Sequence, residues 1–300
     1  MKKSLFFLLF FLSVAGILYA GNGKKPSVEK ILKEKGIVLT YPDWKLKALS
    51  FSYDDGNIAD RRLVAIFNQN GMKGTFHIPS AWLKKKPVNR VTEKEILSLY
   101  ANHEISGHGA NHLSLGKIPL EKLQSELDEE IRQWQKITGK KITGYAYPFG
   151  SYSKTVIAEM RKRGLLYART VGSRGAVFTL PSDFMRWSAQ AHHIKNIDAL
   201  ADKYLAYKPE KMSVLLIWGH SYEFPKAKNW NIIENFCKKM SGKKDIYYAT
   251  MGEIASYVIA SRLLKISSDG KSLENPSEEK IFFLKNGKKM ALEAGKSFNF

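Results

Sequence analysis

Three hundred residues, 44% of them hydrophobic, suffice for one large core or two small ones and exclude a chain that is disordered on a large scale. The formal net charge is +20, yet the lysines fall in short scattered pairs such as Lys24-Lys25, Lys140-Lys141, Lys238-Lys239 and Lys288-Lys289. Without a basic helix or an aromatic-basic motif, that pattern argues against nucleic acid and for acidic polysaccharide, peptidoglycan or lipid headgroups.

In chain order, residues 1–20 come first: Lys2 and Lys3 precede an apolar run from Leu5 to Leu18, and Ala20 sits before a cut ahead of Gly21. This is the pattern of a secretory signal peptide, so the expected location is secreted or periplasmic, with a charge of +18 once the two lysines are removed. An uncleaved anchor is the competing reading, set against a run shorter than the ~20 residues that span a bilayer. The single cysteine, Cys237, has no partner for an intramolecular disulfide and reads as a small buried residue.

Residues 21–45 form a lead segment that is helix-compatible over 27–35. Strand patterns then fall at 48–53, 74–78, 104–107, 144–147, 166–171, 214–218 and 246–249, separated by helical patterns at 59–70, 93–100, 120–138, 153–163, 198–207 and 229–240, with a last one at 251–264. The surest helix is 120–138, where Leu120, Leu123, Leu127, Ile131 and Trp134 recur at helical spacing and Gly139 stops it. About seven strand-helix units imply parallel strands closing into a barrel over residues 46–264. Residues 265–300 switch to β signals around an Asn286-Gly287 turn and predict a small hairpin appendage.

Chemistry-bearing residues gather at predicted strand ends. Asp54 and Asp55 close the first strand before Gly56, an arrangement that serves either as an Asx turn or helix cap, or as two carboxylates aimed differently. His108 and His112, four apart, would share one side of a helical turn and suit two ligands of one metal. Tyr147-Pro148-Phe149-Gly150 is a turn that can expose backbone amides to an oxyanion, and His220 follows the apolar run 214–218. Taken jointly, the clusters predict a divalent metal held by Asp55, His108 and His112, with Asp54 and His220 free to move protons.

These clusters resemble, in order and content, the polysaccharide deacetylase family, the NodB-homology domain of carbohydrate esterase family 4. Its Thr-Phe-Asp-Asp-Gly motif is matched by Ser52-Tyr53-Asp54-Asp55-Gly56, its His-x-x-x-His motif by His108 to His112, its Arg-x-Pro-Tyr-Gly motif by Ala146-Tyr147-Pro148-Phe149-Gly150, and its Leu-x-Leu-x-His motif, loosely, by Leu215 to His220. The resemblance implies a distorted (β/α)7 barrel, zinc as the usual metal, and removal of acetyl groups from an acetylated polysaccharide or oligosaccharide. It makes Asp54 the general base, His220 the general acid, Asp55, His108 and His112 the ligands, and Phe149 and Tyr147 the oxyanion and substrate contacts.

One departure stands out. Ala146 replaces the family arginine that pairs with the base, so Asp54 needs another partner; Arg169 and Arg186 are candidates, and Arg169 is favoured because alternate residues of a barrel strand point inward. The alternative to an enzyme is a catalytically silent carbohydrate-binding barrel. A metal-free glycosidase is disfavoured, since adjacent aspartates are poorly placed to straddle a glycosidic bond. Whether the acetyl is on nitrogen or oxygen stays open.

Overall fold

The computed structural model describes residues 27–83 and 88–300, so the expected signal peptide lies outside the described residues. Helix α1 (Val28–Glu34), capped by Ser27, leads into strand β1 (Ile37–Thr40). The parallel strands follow: β2 (Lys47–Asp54), β3 (Gly74–Ile78), β4 (Glu104–Gly107), β5 (Gly144–Ala146), β6 (Tyr167–Thr170), β7 (Trp187–Ser188), β8 (Ala191–His192), β9 (Ser213–His220) and β10 (Ile246–Tyr248). Around them run α2 (Asp60–Gln69), α3 (Ile96–Leu99), α4 (Leu120–Thr138), α5 (Lys154–Lys162), α6 (Ile197–Ala206), α7 (Glu223–Ala227), α8 (Asn231–Met240) and α9 (Met251–Arg262).

The sheet order is β7-β6-β5-β4-β3-β2-β9-β8, with β10 beside the start of β2. The two outer strands are consecutive in sequence: Arg169 pairs with Trp187 on one side, and His192 pairs with Trp218 on the other. Residues 187–192 are therefore one broken stave that closes the sheet, and the fold is the distorted (β/α)7 barrel. At the break the Gln190 side chain stands in for a ladder rung, its Oε1 accepting from Leu216 N at 2.7 Å while Gln190 N donates to Leu216 O at 2.9 Å. The expected count of seven was right, but its last member was not. Residues 246–248 form a side strand on β2, and the closing stave had escaped notice because Gln190 interrupts a short run with no β-branched residue.

Strand alternation sorts the side chains. In β2, Leu49, Phe51 and Tyr53 face the helices, with Phe51 4.4 Å from Phe67 of α2 and 5.8 Å from Phe236 of α8. Ser52 and Asp54 alternate with them and point inward, where Ser52 meets Arg169 from across the barrel. The lumen is polar near its carboxyl mouth, with His77, Ser106 and Arg169 all buried, and is filled below by Tyr167, whose hydroxyl donates to Glu104 at 2.8 Å.

The first described strand and the carboxyl-terminal hairpin meet in one sheet. The hairpin β13 (Ile281–Lys285) and β14 (Lys288–Leu292), turned by Asn286 (φ 48°) and Gly287 (φ 78°), pairs with β1, while β11 (Lys265–Ile266), β12 (Ser272–Glu274) and β15 (Ser297–Asn299) make a second small sheet. Leu32, Ile37, Ile281 and Phe283 pack with α9 and with Ala48 and Val214 of the barrel, so this part sits on the barrel's own core. No described helix is long and apolar enough to cross a membrane.

Candidate metal and acid-base site

Each chemical side chain is delivered by a strand end at the same mouth. Asp54 is the last residue of β2, in register with His77 on one side and His220 on the other. Asp55 leaves the strand at φ 80°, and its N–H is held by His77 O at 2.9 Å. Gly56 follows at φ 59°, where an added Cβ would lie 2.8 Å from Ile78 Cγ2, so the turn requires glycine. Left-handed backbone is costly for an aspartate, and its presence beside buried carboxylates is typical of sites under functional constraint.

His108 and His112 do converge, but not on a helical turn as their spacing suggested. Residues 108–114 form a loop in which Gly109 (φ 78°) and His112 (φ 57°) take left-handed conformations and swing the second ring back over the first. Two glutamates of α4 clamp this loop: Glu130 Oε1 accepts from His108 N at 2.8 Å, and Glu126 accepts from Asn111 N at 2.6 Å and Asn111 Nδ2 at 2.9 Å. Both are buried on the apolar face of α4 between Leu123, Leu127, Ile131 and Trp134. Two carboxylates inside a hydrophobic stripe are the sequence signal for such a clamp, one that helical periodicity alone does not bring out.

The donor chemistry fits a divalent metal. His108 Nδ1 lies 2.8 Å from Ala146 O and must donate to it, which leaves Nε2 with a free lone pair. That Nε2 is 3.2 Å from His112 Nε2 and 3.8 Å from Asp55 Oδ1, and His112 Nε2 is 3.6 Å from Asp55 Oδ1. Two ligands ~2.0–2.1 Å from a tetrahedral zinc stand ~3.3 Å apart, close to these separations. Asp55 Oδ1 is buried with no hydrogen-bond partner, and burial lowers the pKa of both histidines, keeping them neutral. The three residues would thus hold the metal the motifs imply.

Beside them, Asp54 is paired with Arg169, which also donates to Ser52 Oγ at 2.9 Å and lies 4.4 Å from the Trp218 ring centre. Burial alone would raise the Asp54 pKa, but Arg169, His108, His220 and His77 together hold it well below the usual carboxylate range. Its Oδ1 remains buried and unpartnered. His220 Nε2 is 4.0 Å from Asp54 Oδ2. Burial acts to lower the His220 pKa, yet Glu223 and Asp54 raise it on balance. Glu223, not singled out from the sequence, has Oε1 3.6 Å from His220 Nδ1 and accepts from His220 N at 3.2 Å.

The remaining expected residues divide. Phe149 is 69% exposed at φ 57°, with its ring 4.6 Å from that of His112, so it stands at the rim of the site. Tyr147 does not: it is buried, stacked on Tyr152, and its hydroxyl donates to Met185 O at 2.9 Å, which commits it to structure rather than to a substrate contact. Arg186 is exposed and has no part in the Asp54 pair.

A (β/α)7 barrel with two carboxylates and three histidines gathered at its carboxyl mouth is the class that fold and site define. Residues 32–168 match the family model described as polysaccharide deacetylase. The match includes both aspartates and the His108 to His112 motif, and ends just before Arg169. Among curated proteins of Bacillus subtilis (strain 168), the uncharacterized protein YlxY is 28% identical over 134 residues, 44% of this chain and 40% of YlxY. The peptidoglycan-N-acetylmuramic acid deacetylase PdaA is 26% identical over 135 residues, 44% of this chain and 45% of PdaA. The matched segment thus spans less than half the length of either relative. A Mycobacterium smegmatis protein described as a polysaccharide deacetylase shares the fold at a TM-score of 0.57 and 19% identity, over 75% of this chain and 94% of that one.

Proposed function

We propose that this protein is a metal-dependent hydrolase that removes N- or O-linked acetyl groups from a polysaccharide. The observation that carries this reading is the convergence of Asp55 Oδ1, His108 Nε2 and His112 Nε2 within a few ångströms of one another, with Asp54 and His220 beside them. When bound there, a divalent metal, zinc by this donor set, supplies Lewis acidity that polarises an acetyl carbonyl and makes an attacking water acidic near neutral pH.

The protein's own residues do the rest. Asp54, kept ionised by Arg169, takes the proton of the attacking water as the oxygen adds to the acetyl carbon. The Phe149 N–H, at the left-handed turn on the rim, donates to the developing oxyanion. His220, protonated because Glu223 and Asp54 favour its charged form, passes its proton to the leaving amine or alkoxide as the C–N or C–O bond breaks. Acetate leaves, and the proton held by Asp54 returns to solvent or to His220.

The +18 mature charge favours an anionic glycan or peripheral association with an envelope surface, and the amino-terminal pattern favours a secreted or periplasmic location after cleavage near Ala20. Acetate release assayed across acetylated chitin oligomers, peptidoglycan, xylan and acidic exopolysaccharide tests the activity and names the substrate together. Release that disappears with chelator and returns with zinc supports the reading; full activity in chelator overturns the metal mechanism.

A further inference from the structure

We propose that His192, His220 and Glu223 form a second, weaker site for a divalent transition metal, and that filling it withdraws His220 from acid chemistry. This rests on the acid role given to His220 above. Glu223 opens α7, three residues after the end of β9, and faces the end of β8. Its Oε2 is 3.2 Å from His192 Nε2 and 3.1 Å from His193 Nε2, and its Oε1 is 3.6 Å from His220 Nδ1. One ligand atom from each of His192, His220 and Glu223 lies within 4.8 Å of the others. Two imidazoles and one carboxylate are a donor set that binds zinc.

Unpartnered atoms point the same way. His220 Nδ1 and both ring nitrogens of His193 are buried without a well-aligned hydrogen bond, so the one carboxylate that faces three rings leaves two of them short of a partner. His193 is fixed between the rings of Tyr53, 5.5 Å away, and Phe224, 4.1 Å away, and holds the Glu223 carboxylate from its buried side, as a residue behind a metal ligand does. A cation among these groups would supply the missing partner.

The order of filling follows from tautomers. His108 is preset for binding through Nε2 by its bond to Ala146 O. His192 is preset the other way, because its Nδ1 accepts from Ile194 N at 3.3 Å and its proton therefore sits on Nε2; binding there requires the ring to change tautomer and give up that long contact. The site of Asp55, His108 and His112 fills first. His220 bound through Nδ1 cannot also be an imidazolium that donates a proton, so metal beyond the first equivalent inhibits.

The test titrates metal-free protein with zinc, following bound metal by equilibrium dialysis and acetate release in parallel. Wild type is expected to bind two zinc ions, the second at least about tenfold more weakly, with activity rising over the first and falling over the second. His192→Gln, and independently His192→Ala, should bind one, hold the activity plateau and lose the falling limb, with unfolding temperatures matching wild type. His108→Gln should lose activity yet still bind one zinc, through His192. Saturation of the wild type at one zinc, or two ions bound by both His192 variants, overturns the inference and leaves the deacetylase reading intact. Two ions bound with the His192 dependence, but no acetate released from any glycan, sustains the site and refutes the hydrolase.

Discussion

Ala146 and Arg169 are register partners on adjacent staves, β5 and β6, and the arginine that the family motif would place at position 146 stands one stave away and reaches the same carboxylate, Asp54. As register partners on neighbouring staves the two positions face the same side of the sheet, so a guanidinium at either is placed to reach Asp54. Removing Arg169 would leave a buried carboxylate unpaired, at a cost of about 3–5 kcal/mol. Arg169→Ala should therefore lower the unfolding temperature and cut kcat by about a hundredfold or more, and adding Ala146→Arg to it should recover activity to within about tenfold of wild type. Steady-state kinetics of the four proteins in that cycle check this; no recovery in the double variant would mean that the two positions are not equivalent.

Asp54→Asn should keep the metal and lose turnover. The carboxylate is not among the three converging ligands, and proton abstraction by a positioned base contributes about 10²–10⁴ in rate. Metal content measured beside kcat separates the roles, since loss of metal in this variant would make Asp54 a ligand.

The alkaline limit of activity should follow Glu223. His220 acts in its protonated form, and its pKa stands above the ordinary 6.5 through Glu223 and Asp54, which outweigh burial. With the folded value raised, the His220 contribution to stability is complete below about 6.5 and is lost as pH climbs through the folded value. Glu223→Gln removes one of the three carboxylate charges that raise it, leaving Asp54 and Asp55, so the alkaline limb of the kcat profile should move to lower pH while the acidic limb stays. An unmoved alkaline limb would separate His220 from the acid step.

Glu130→Gln should weaken the metal rather than the chemistry. Glu130 accepts from His108 N and Ser80 N, and burial raises its pKa to about 7. An amide can satisfy only one of those donors, and loosened support behind a ligand typically costs about 10–100-fold in affinity. Titration with zinc should show that loss, with kcat at saturating metal close to wild type.

Much of this arrangement was legible in the sequence, for a physical reason. A barrel strand is an apolar run, and whatever polar residue ends it is carried to one mouth, so the sequence itself groups Asp54, Asp55, His108 and His220. What escaped notice depends on contacts that sequence spacing does not encode. The closing stave at residues 187–192 is completed by the Gln190 side chain, His112 arrives through left-handed backbone rather than helical period, and Tyr147 is drawn inward by Met185 O. The pairing of β1 with the carboxyl-terminal hairpin joins residues more than 240 positions apart, beyond any local signal.

The proposed reaction is hydrolysis of an acetyl group with a metal held by Asp55, His108 and His112. Its most direct test is acetate released from an acetylated glycan, counted against newly exposed amine or hydroxyl, in protein carrying one zinc and in the same protein after chelation. One acetate per exposed group with zinc, none after chelation and recovery on adding zinc back is the predicted result. Zinc bound through those three residues with no acetate released from any member of the glycan panel would contradict it.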